Sequence, residues 1–139
     1  MAKNYIIELS SITCKTMISE ADKDGKIINV EKSTREIELI TLKNLFRFAR
    51  NKEASIDTGC LITDCLDQLD NITDKETLVK FTEQDIGFLK TGYKISAEER
   101  VGLINFWFDN CKTVMQQIRK PIDEEEYEKQ KVEIKKKEK

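Results

Sequence analysis

The sequence predicts an α+β fold, with an N-terminal β-hairpin or small antiparallel sheet packed against three or four helices, the last of them long. Three observations carry this. Segments rich in Ile, Thr, Tyr and Val are concentrated in the first third of the chain. From Leu42 onward apolar residues recur every three or four positions, the helical period. Ser or Thr stands just ahead of each helical run, where a side-chain oxygen can take an otherwise unpaired backbone N–H.

The elements follow in order. Tyr5 to Ile18 (YIIELSSITCKTMI) reads as strand, with imperfect alternation. Ile27 to Val30 reads as strand, and so does Arg35 to Leu42 (REIELITL), where Ile37 and Leu39 face away from Glu36 and Glu38. Thr41 is the expected N-cap of a helix whose Leu42, Leu45, Phe46 and Ala49 form one stripe. Ser55 caps a second helix carrying Leu61, Ile62, Cys65, Leu66 and Leu69, with Asp64, Asp67 and Asp70 off that stripe. Leu78 to Phe81 suggests a short added strand, and Thr82 with Asp85 opens a short helix through Ile86 and Leu89.

Ser96 and Glu99 have the spacing of a capping box, which predicts a long helix from about Ala97 to Arg119. Val101, Ile104, Phe108, Cys111, Met115 and Ile118 lie in register along it, and Pro121 ends it. Residues 1–121 are thus expected to form one α+β domain. Residues 122–139, charge-rich with few apolar residues, are expected to be a helical or disordered tail.

Composition narrows the function. A chain of 139 residues, 39% hydrophobic and 36% charged, can bury a core without metals or disulfides. No apolar run approaches the roughly 20 residues a membrane span needs, and the N-terminus lacks a secretory pattern, which predicts a cytoplasmic protein. The net charge of −2 divides weakly along the chain, arguing against both a dedicated nucleic-acid binder and an acidic mimic of one. Cys14, Cys60, Cys65 and Cys111 are widely spaced among apolar neighbours, so reduced, buried thiols are expected rather than a zinc site.

One stretch imitates a metal site. In SEADKDGKIINVE, Ser19 to Glu31, Gly25 at the sixth loop position puts Glu20, Asp22, Asp24 and Glu31 at positions one, three, five and twelve of an EF-hand. Position nine, however, is Ile28, the preceding segment reads as strand, and no second loop exists. The stretch is therefore expected to be a hairpin turn closed by a left-handed glycine, with no metal or cofactor.

Catalysis finds no support either. With no histidine, a Cys or Ser nucleophile lacks its usual base, and no phosphate loop or dinucleotide fingerprint occurs. Two surfaces are candidates for interaction. Lys43, Arg47 and Arg50 make a basic ridge at i, i+4 and i+7, able to meet an anionic protein surface or, less favoured, nucleic acid. Leu103, Trp107 and Val114 widen the apolar face of the last helix, which predicts a homodimer through that face.

From about Arg35 to Pro121 the layout resembles small proteins encoded by tailed bacteriophages. The resemblance is carried by ELITLKNLFRFARN, CLITDCLDQLD and LVKFTEQDIGFLKTGYK, and by a Lys- and Ile-rich composition. It implies a protein that acts by binding a host or defence protein, or as a virion or assembly component. The expected function is accordingly a non-enzymatic protein–protein interaction module.

Overall fold

The first strand organises the fold. The structure, a computed structural model, describes residues 4–52, 55–73, 75–99, 107 and 109–137, the last six as backbone. Strand β1 (Asn4–Glu8) lies in the middle of a three-stranded antiparallel sheet, between β4 (Leu78–Thr82) and the two-residue β5 (Ile122–Asp123). Tyr5 is opposite Phe81 and Ile7 opposite Val79, so these four side chains share one face. That face meets the helices, and Ile7, Val79 and Phe81 are buried in the main core. Ile6 points the other way with its partners Lys80 and Ile122, and it too is buried.

Strands β2 (Lys15–Ala21) and β3 (Ile27–Ser33) form a separate antiparallel hairpin. Its turn is the stretch that imitates an EF-hand. Oδ1 of Asp22 accepts the backbone N–H groups of Asp24 and Lys26, both at 2.9 Å, and Gly25 takes φ +80°. The Asp22 carboxylate is thus engaged in shaping the turn, and the glycine supplies the left-handed residue that a side chain would disfavour.

The segment 35–42, expected as strand, is helical. Helix α1 runs Thr34–Asn51, with Ser33 rather than Thr41 as its N-cap; the Ser33 hydroxyl accepts from the N–H of Glu36 at 3.1 Å. The local alternation of Glu36, Ile37, Glu38 and Leu39 fits a strand. Over eighteen residues, however, Ile37, Leu42, Leu45, Phe46 and Ala49 form a single buried helical stripe, and the longer period prevails. Helix α2 (Ile56–Asp70) begins where expected, with the Ser55 hydroxyl accepting from Thr58 N–H.

Helix α3 (Glu83–Glu99) opens on a reciprocal cap. Asp85 N–H donates to the Thr82 hydroxyl at 3.1 Å, and Thr82 N–H donates to Asp85 Oδ2 at 3.0 Å. The helix then runs through the Ser96–Glu99 box, so Ser96 is a buried interior residue and caps nothing. Gly92, which in sequence looks like a breaker, is where α3 crosses α1. A Cβ there would lie 1.9 Å from the carbonyl oxygen of Leu45. Close packing at that crossing outweighs the roughly 1 kcal/mol that glycine costs a helix.

The long helix expected from Ala97 to Arg119 is absent as such. Ala97 belongs to the end of α3, and the last core helix, α4 (Lys112–Arg119), has only eight residues. Backbone bonds of helical type flank Cys111, but its φ of −130° and ψ of 31° bend the chain there. Val101, Leu103, Ile104 and Phe108 lie outside the described residues. After β5, helix α5 (Glu124–Lys137) starts with three glutamates, which suit the positive end of the helix dipole. Lys80 of β4 pairs with Glu124 at 2.8 Å, tying α5 to the sheet.

Candidate interaction surface

The basic ridge of α1 is mostly occupied within the chain. Lys43 Nζ lies 2.5 Å from Asp70 Oδ1 of α2, and that hydrogen bond holds the Asp70 carboxyl below its usual range. Arg50 donates to the Thr63 hydroxyl at 3.3 Å, and Thr63 in turn donates to the Gly59 carbonyl. Arg47 is exposed and reaches Asn44 of its own helix, at 3.5 Å. Two of the three cations therefore fasten α1 to α2. The signal lay in Asp70, an acid off the stripe of α2; pairing the helices sets it beside the ridge.

The apolar residues expected to form a dimer face belong to the core. Trp107 is 1% exposed and Val114 is 0% exposed. The Trp107 ring meets Phe48 of α1 with centroids 6.2 Å apart and planes tilted 57°. Their burial corrects the interface reading for these two residues: Phe48 of α1 packs on Trp107, and Val114 lies within the main core. Leu103 lies outside the described residues.

The thiols divide two and two. Cys65 and Cys111 are buried, but Cys14 and Cys60 are exposed, contrary to expectation. Cys65 donates to Asp85 Oδ1 at 3.1 Å, and burial, then that carboxylate, pushes its thiol far up. Burial pushes Cys111 up to about 11, with Thr41 Oγ1 3.2 Å away. Both stay protonated at neutral pH and are poor nucleophiles. Among the described residues no group of three His, Cys, Asp or Glu side chains could hold a metal ion, and no helix is long and apolar enough to cross a membrane.

What remains open is the β2–β3 arm. Register assigns its faces: Thr16, Ile18 and Glu20 lie opposite Lys32, Val30 and Ile28, while Met17, Ser19 and Ala21 lie opposite Glu31, Asn29 and Ile27. The first face turns inward. Ile18 packs against the core, the Thr16 and Thr34 hydroxyls meet at 3.1 Å, and Lys32 pairs with Glu20 at 2.6 Å. That hydrogen bond raises the Lys32 ammonium above its usual value.

On the second face all six residues are exposed. Met17 is 60% exposed and Ile27 68%, among the largest exposures of any apolar side chain described. Neither strand pairs with a third strand among the described residues, so both outer edges carry unmatched backbone groups. The arm combines apolar side chains with open backbone edges, and this combination suits binding another chain by strand addition. Sequence reading passed over the arm because Met17 and Ile27 there look like ordinary strand residues. Only the lack of a covering layer makes them a surface.

No family model matches the chain, and no curated protein or solved structure matches it.

Proposed function

We propose that this chain is a non-enzymatic protein-binding module that engages its partner with the β2–β3 arm. The observation that carries the reading is the wholly exposed face bearing Met17, Ala21 and Ile27, on a two-stranded sheet that pairs with no third strand among the described residues. An isolated two-stranded hairpin is marginal in water, and a docked partner would supply the missing strand and cover the apolar face. Nucleic acid is the weaker reading, because Lys43 and Arg50 are engaged by α2. The resemblance of its layout to small phage proteins favours a host or viral protein as partner, and a second copy of this chain is a further candidate for the same arm.

The test replaces Met17 with Glu and Ile27 with Lys, together and singly. Proteins captured by the wild type and lost with the double variant, at unchanged helical signal, support the arm as the binding surface. A dimer mass in light scattering that the same substitutions reduce to monomer identifies the partner as a second copy. Capture and mass that both ignore the substitutions overturn the reading.

A further inference from the structure

Helices α3 and α4 border a half-open cavity of about 260 Å³, lined among the described residues by Lys90, Tyr93, Met115, Ile118 and Arg119. Its floor is apolar, with Met115 and Ile118 buried in the main core. Lys90 and Arg119 are exposed beside it, and neither has a carboxylate at ion-pair distance among the described residues. No acidic side chain is among the described residues that line it. What marks the place is that both cations flank one apolar hollow.

We infer that this cavity binds a small amphipathic carboxylate, with its apolar body on Met115 and Ile118 and its carboxylate between Lys90 and Arg119. Size sets the class. The volume lies just below the roughly 300–1,000 Å³ of drug-sized sites, which suits a small ligand. An apolar floor rejects a fully hydrated anion such as phosphate, since it offers that ion no replacement for its water. A medium-chain fatty acid satisfies both ends, because chain burial is favourable and the guanidinium and ammonium receive the head. The site is independent of the β2–β3 arm.

Octanoate is the probe, followed by nuclear magnetic resonance on the full chain, with octanol and octylamine for comparison. The wild type is expected to show saturable shifts at Met115 and Ile118 methyl groups, with direct contacts from the octanoate methyl to Met115. Replacing Lys90→Gln and Arg119→Gln together is expected to weaken octanoate about tenfold, the scale of two exposed charge contacts, while leaving octanol unchanged. Arg119→Lys, which keeps the charge, is expected to retain most of the affinity even if the double variant folds poorly. Octylamine binding as tightly as octanoate, affinity indifferent to both cations, or no saturable shift into the millimolar range would each overturn the assignment.

Discussion

The side-chain amide of Gln117 takes both backbone groups of Glu8. Its Oε1 accepts the Glu8 N–H at 2.7 Å and its Nε2 donates to the Glu8 carbonyl at 2.9 Å. Strand β5 pairs with β1 only at Tyr5 and Ile6, so the edge beyond is unmatched. Gln117, from α4, substitutes for the next residue of the missing strand and joins two segments 109 residues apart. Replacing Gln117 with Ala is expected to cost about 1 kcal/mol in urea unfolding, because two backbone groups exchange this partner for water. The amide proton of Glu8 should exchange markedly faster in the same variant. Unchanged exchange there would show that the amide bridge does not protect the strand.

Glycine substitutions should split by position. Gly92→Ala puts a methyl group against the Leu45 carbonyl, where backbone must move, and is expected to destabilise by about 3 kcal/mol or more. Gly87→Ala, in the same helix, meets nothing within 4 Å and should stabilise by up to about 1 kcal/mol. Thermal unfolding of the two variants decides. Equal effects would mean that α1 and α3 do not cross at Gly92.

Glu38 should make stability depend on pH. It is buried, and desolvation raises its carboxyl above the usual value even though Ser10 donates to it from both N–H, at 2.8 Å, and hydroxyl, at 3.2 Å. A raised native value means that its stabilising contribution is complete below the unfolded value and is lost as pH rises through the native one. Glu38→Gln keeps an acceptor for Ser10 N–H without the charge. The variant should lose that pH dependence and be at least as stable as the wild type at pH 7, measured by urea unfolding across pH 4 to 8.

Thiol reactivity should report the two exposed and two buried cysteines. In the native protein Cys14 and Cys60 are expected to react with a thiol reagent within minutes, and Cys65 and Cys111 only after unfolding. Four equally fast thiols would show that the core around Cys65 and Cys111 is open.

The outer face of the arm should be dispensable for folding. Met17→Glu and Ile27→Lys change side chains that make few native contacts, so each is expected to shift stability by no more than about 0.5 kcal/mol. A large loss would mean that the face is covered within the monomer.

Much of the fold was legible because it is locally encoded. Ser55 and the Thr82–Asp85 pair cap their helices with their own side chains, and Asp22 with Gly25 builds the hairpin turn from five consecutive residues. Pro121 likewise follows the end of α4. Two local signals misled. REIELITL satisfies strand alternation and helix periodicity at once, and only the full length of α1 packed on α3 selects the helix. Ser96 and Glu99 match a capping box, but α3 continues through both and buries Ser96.

The surfaces could not be assigned from sequence for a different reason. Whether Lys43 faces solvent or Asp70, and whether Trp107 faces a partner or Phe48, depends on which helix lies alongside, a relation between residues far apart in the chain. The chain by itself determined where α2, α3 and the β2–β3 turn begin, through capping, periodicity and glycine conformation. Tertiary packing alone decided which apolar and charged side chains stay exposed, because burial belongs to the assembled layers. It covers Trp107 and Val114 and leaves Met17 and Ile27 in solvent.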